Sequence, residues 1–211
     1  MVTTRLEAFS DGVLAIIITI MVLELHAPHG AELGDLRPLI SVFFGYVLSF
    51  IYLGIYWSNH HHMMHVAQGV SGSILWANLH LLFWLSLIPF VTAWMAENRY
   101  ESLPVALYGF VLLMSAVAYW ILQSRILAQE GRDSVLRAAI GTDLKGKLSP
   151  FLYLIAILAA FVYPLISGVI YVGVALMWLV PDRRIEEKAA EAEEELEAEG
   201  RTSGSPRDAR R

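Results

Sequence analysis

Cysteine is absent from this 211-residue chain. That excludes a disulfide framework, a thiolate metal centre and a cysteine nucleophile. Charge is also scarce: 17% of the residues are Asp, Glu, Lys or Arg, where a soluble domain carries about 25%. No basic stripe interleaves with aromatic residues, so nothing points to nucleic acid as a partner. The start of the chain lacks a basic stretch followed by an apolar core and a small-residue cleavage site, and a cleaved signal peptide is not expected. The histidines show no arrangement with a nucleophile or paired acids, and the glutamate of HExxH is absent, which leaves nothing that supports an enzyme.

What the chain does have is apolar residues in long runs. Hydrophobic residues make up 56% of it, and its mean hydropathy is +0.54. A helix crosses a hydrocarbon core about 30 Å thick with roughly 20 apolar residues, and several windows meet that length. The expected fold is therefore an all-α membrane protein with six transmembrane helices. Helix 1 covers Leu6 to Leu25 and is stopped by HAPHG at 26–30. Helix 2 runs from Pro38, which suits a first helical turn, to Asn59; the HHHMMH that follows at 60–65 can prolong it beyond the bilayer. Helix 3 covers Ile74 to Met95 and helix 4 covers Leu103 to Ser124. Residues 125–147 alternate charges with apolar positions and read as a solvent-facing loop with an amphipathic helical piece. The uncharged stretch from Leu148 to Pro181 is too long for one span. Dividing it near Pro164, Ser167 and Gly168 gives helices 5 (149–164) and 6 (167–180).

Charge topology supports that division. Lys and Arg collect on the cytoplasmic side. They cluster in 125–147 and again from Arg183 and Arg184 onward, so an even number of crossings must separate the two clusters. With six helices only Arg37 and Arg99 fall outside, and both termini are cytoplasmic. The six-helix transmembrane unit is thus 1–181. The segment 182–211 is a tail, acidic and helix-favouring at first and of disordered composition after that; it accounts for much of the formal net charge of −5.

The most informative segment is RLEAFSDGVLAIIITIMVLEL at 5–25. At ~100° per residue, Ile16, Ile20 and Leu23 share one face, with Thr19 beside them. Asp11 lies roughly 140° away by the same advance. One face can line a pore while neighbouring helices hold Asp11. Taken alone, however, the same spacing describes ordinary lipid-facing or packing residues. Ser10 and Asp11 can equally cap a helix that starts later, and Thr19 can bond the carbonyl of residue 15 or 16. In HHHMMH the pairs His61/His65 and His62/His65 have metal-sharing spacing. No carboxylate or thiolate accompanies them, and the reading adopted is interfacial histidines with no metal.

The run Arg5, Phe9, Ser10, Asp11, Gly12, followed by AI and VLEL, resembles the signature of the transmembrane-protein-175 family of potassium channels in its prokaryotic branch. YWSNHH at 56–61 and LWANLHLLFWLSLIPF at 75–90 are similar to blocks in that family's second and third helices. The resemblance implies a homotetramer in the plasma membrane with a central pore lined by helix 1, conducting potassium without a cofactor. The family's apolar constriction matches Ile16, Ile20 and Leu23, and its hydroxyl ring matches Thr19. The family's serine and aspartate, here Ser10 and Asp11, bond to helices 2 and 3, where the candidates are His60 or His61, Trp76 and Asn78. A TVGYG-type filter is lacking, as the family implies. A secondary transporter of a cation or proton is the competing reading; it commonly shows broken helices and internal repeats, and neither is visible in helix 1.

Overall fold

A computed structural model describes residues 3–67, 69–130 and 144–179, and the tail at 182–211 lies outside them. Helix α1 (Thr3–Leu23) carries no helix-breaking proline and ends in two tightened turns, Glu24 N–H to Met21 O and Leu25 N–H to Val22 O. A 3₁₀ turn at Leu33–Leu36 leads to α2 (Leu39–Val66). Then come α3 (Gly72–Ser86), α4 (Ile88–Glu97), α5 (Ser102–Glu130), α6 (Leu144–Ala160) and α7 (Pro164–Leu179). The segments α1, α2, α3 with α4, and α5 are long and apolar enough to cross a membrane. Helices α6 and α7 are shorter, with 17 and 16 residues, or about 25 Å of rise each. They form an antiparallel hairpin: Trp178 Nε1 donates to Ser149 Oγ at 2.8 Å, and Ser167 Oγ donates to the Ala156 carbonyl at 2.6 Å. The described residues thus make six helical passes, one of them broken.

Four boundaries differ from the sequence reading. The third span is not continuous. Leu87 interrupts it, and Pro89 stands in the first turn of α4. Proline has no N–H for the Leu85 carbonyl, and its ring crowds that carbonyl, so the span breaks two residues ahead of it. Helix α2, by contrast, carries all of HHHMMH to Val66, the prolongation the sequence allowed; its 28 residues reach about 42 Å, more than a bilayer core needs. Helix α5 runs past Ser124 to Glu130, so Arg125 is helical. Helix α6 takes in Lys145 and Lys147, which leaves only 131–143 of the expected loop outside the described residues. The last division falls at 161–163, with Pro164 opening α7 rather than closing α6, the position a proline prefers.

Helix α5 is the centre of the subunit, in contact with α3, α4, α6 and α7, whereas α1 sits at one edge against α2, α3 and α4. Between helices in lipid, water-driven apolar burial is lost; close packing and buried hydrogen bonds hold the bundle instead. Ser49 Oγ lies 2.7 Å from Thr92 Oγ1 and 3.1 Å from Tyr108 Oη. Tyr52 donates to the Tyr171 carbonyl at 2.6 Å, and Tyr171 donates to the Val105 carbonyl at 3.1 Å. A Cβ at Gly109 would collide with the Tyr171 hydroxyl, so the glycine is what admits that phenol. Phe151, Leu158, Phe161, Leu165, Val169 and Leu176 on the α6–α7 hairpin are exposed, an apolar surface that the subunit leaves uncovered.

Candidate functional site

Helix α1 has two faces of opposite character. Leu6, Ser10, Leu14, Ile17 and Met21 are buried, a stripe at helical spacing pressed on the rest of the subunit. Arg5, Phe9, Gly12, Ile16, Thr19 and Leu23 form a second stripe, spaced four and three residues alternately, and all are exposed. Ile16 is 58% exposed, Ile20 43% and Leu23 70%, so the subunit's own fold leaves them largely uncovered. Thr19 Oγ1 lies 3.0 Å from the Ala15 carbonyl and 2.9 Å from that of Ile16. Its proton is thereby spent within the helix. A hydroxyl has two lone pairs, and those of Thr19 stay available on the exposed face.

The start of α1 is fixed by two rows of hydrogen bonds. In the inner row His60, Asn78 and Ser10 are all buried. His60 Nε2 is 2.7 Å from Asn78 Oδ1, and Asn78 Nδ2 donates to Ser10 Oγ at 2.9 Å. Ser10 in turn donates to the Leu6 carbonyl at 2.9 Å. Because Oδ1 only accepts, Nε2 carries the imidazole proton. The row therefore runs in one direction across three elements: α2 to α3 to α1. His60 Nδ1 is left as a buried acceptor without a partner among the described residues. In the outer row Glu7 Oε1 meets His61 Nδ1 at 2.7 Å, and Trp57 Nε1 donates to Asp11 Oδ1 at 3.0 Å. Glu7 and Asp11 are four residues apart on α1, as are Trp57 and His61 on antiparallel α2. The two pairs close in register, with the Trp57 ring stacked on His61 at 6.2 Å.

Ser10 and Asp11 lie well inside α1, so neither caps a later start. His60 and Asn78 do join Ser10, but Asp11 bonds to none of the expected candidates. Trp76 is 75% exposed and its indole makes no hydrogen bond among the described residues; the indole that holds Asp11 is Trp57. Glu7 was also overlooked. The matched four-residue spacings of Glu7/Asp11 and Trp57/His61 were the signal that would have found both. Arg5 and Phe9 are exposed, and Arg5 forms no ion pair among the described residues. His62 and His65 are exposed too, and no three His, Asp or Glu side chains among the described residues converge on a metal position.

These features define an all-helical, multi-pass membrane protein whose N-terminal helix is pinned at one end and left bare along its opposite face. The chain belongs to the TMEM175 family. The profile described as "Endosomal/lysosomal potassium channel TMEM175" matches residues 5–89. A potassium channel of Chryseobacterium sp. (strain P1-3) is 53% identical over 187 residues, covering 89% of this chain and 97% of that one. A potassium channel of Streptomyces collinus (strain DSM 40733 / Tue 365) is 31% identical over 157 residues, covering 65% of this chain and 76% of that one. Among solved structures, a lysosomal potassium-selective channel TMEM175 homolog from Chamaesiphon minutus superimposes with a TM-score of 0.71 at 25% identity, covering 84% of this chain and 96% of that one.

Proposed function

We propose that four copies of this chain surround an axis and form a potassium-permeable pore lined by α1. They sit in the plasma membrane with both termini cytoplasmic, and no cofactor beyond the permeant ion is needed. The observation that carries this reading is the bare stripe of α1. Ile16, Ile20 and Leu23 are large, apolar and exposed, on a helix whose buried stripe is a different one, Leu6, Ser10, Leu14, Ile17 and Met21. The relatives named as potassium channels supply the ion. The protein is a channel and not an enzyme.

Rings of Ile16, Ile20 and Leu23 would narrow the path to an apolar constriction that gates by dewetting. Such rings cannot replace an ion's hydration shell, so preference for potassium over sodium is moderate. The Thr19 ring adds oxygen lone pairs beside the cation path. At the far end Glu24 raises the local cation concentration. The two hydrogen-bonded rows set the rotation of α1, and through it the direction in which Ile16 points.

Potassium flux from liposomes is the test, comparing the native chain with Ile16→Asn and Thr19→Ala. Ile16→Asn is expected to leak more and to discriminate less between potassium and sodium. Thr19→Ala is expected to keep flux and lose preference; full retention of preference would remove Thr19 from selectivity. Resolved unitary currents in a planar bilayer separate a channel from a carrier.

A further inference from the structure

A groove of about 690 Å³ opens between α1 and α4, beside the break at Leu87. Val13, Ile17 and Ile20 wall it on one side, Pro89, Phe90 and Ala93 on the other. At one end stand Glu24 and Glu97, with Trp94 next to them. The Phe90 and Trp94 rings are stacked at 6.3 Å and 11°. Neither carboxylate has an ion pair or a side-chain hydrogen bond among the described residues, and no basic residue lines the groove.

We propose that this groove binds lipophilic organic cations. Its volume lies within the ~300–1,000 Å³ usual for small-molecule sites. The aliphatic walls suit alkyl chains. The two unpaired carboxylates and the indole face suit a positive head, the latter through cation–π attraction. An anionic amphiphile would be repelled by Glu24 and Glu97. An uncharged one would leave them as they are and gain only the walls. A phospholipid tail fits the walls, but its phosphate would confront both carboxylates. Charge complementarity therefore selects the cation. Ile16 and Ile20 border the groove, so an occupant touches the helix assigned above to the constriction and lowers flux. That consequence rests on the pore reading, whereas the binding does not.

The test uses the full chain in nanodiscs of zwitterionic lipid and a trialkylammonium probe with a nitroxide on one alkyl chain. Matched sulfonate and uncharged alcohol probes serve as controls. Of the six tryptophans, Trp94 alone lines the groove, so the difference in fluorescence quenching between the native chain and Trp94→Phe reports the site. Saturable difference quenching by the cation alone is expected. In the Glu24→Gln, Glu97→Gln double variant its midpoint should rise about tenfold, a loss of roughly 1.4 kcal/mol. Equal quenching by the alcohol probe, or a midpoint unmoved in the double variant, would overturn the site. Saturable quenching with unchanged potassium flux would uphold the site and count against the pore reading.

Discussion

Asn78 is the residue on which the anchoring of α1 turns, because its one amide serves two partners. It accepts from His60 and donates to Ser10, all three side chains being buried. Replacing it with leucine keeps the volume and orphans the His60 Nε2 proton, beside an Nδ1 that already lacks a partner. Each buried orphan costs about 1–3 kcal/mol, so Asn78→Leu should lower unfolding stability in detergent by that order. Adding His60→Phe removes the orphaned groups as well, and the double variant should lose less than the sum of the singles. Additive losses would mean the two side chains are not coupled. The sequence made this row partly legible: motif and block residues pointed to Ser10, His60 and Asn78. It did not separate the two rows. Whether Asp11 meets a histidine or an indole depends on the relative rotation of α1 and α2, which spacing within one helix does not fix.

At the scale of elements, hydrophobic length and breakers revealed the spans, because a bilayer imposes one length on every crossing helix. The errors fell where a helix outruns that length or breaks within it. Arg125 belongs to a helix that continues past the apolar run, so the change in composition came before the change in structure. Pro89 was visible in the sequence, but only the structure distinguishes a kink from an interruption. The α5–α7 contact depends in the same way on a residue that periodicity cannot single out. Gly109 leaves room for the Tyr171 phenol, which donates to the Val105 carbonyl. Gly109→Ala should push that phenol out and destabilise the subunit by about 1–3 kcal/mol, the usual cost of overpacking. Tyr171→Phe removes the colliding oxygen, so it should recover part of the loss when combined with Gly109→Ala, measured as thermal unfolding in detergent. No recovery would place the strain elsewhere.

At the scale of the whole molecule, the subunit has two kinds of exposed apolar surface, and the proposed assembly treats them differently. The α1 stripe ending at Leu23 is meant to face other copies, while the α6–α7 hairpin with Val169 is meant to face lipid. Both residues are well exposed in the single subunit, at 70% and 65%, so burial alone cannot rank them. The distinction comes from connectivity. Helix α1 stands at the edge of the bundle with a continuous stripe from Arg5 to Leu23, whereas α6 and α7 form a hairpin laid on α5. The absence of native cysteine makes the question open to a clean experiment. A single Leu23→Cys or Val169→Cys can be treated, in dilute proteoliposomes, with a short bifunctional thiol reagent. Leu23→Cys should yield linked dimers on a denaturing gel, the largest product that one thiol per chain allows, because four copies would bring that position together around one axis. Val169→Cys should stay monomeric, since lipid would separate it from its counterparts. The reverse pattern would place the hairpin at the subunit contact and turn α1 toward lipid, and with it would go the assignment of Ile16, Thr19 and Ile20 to the ion path.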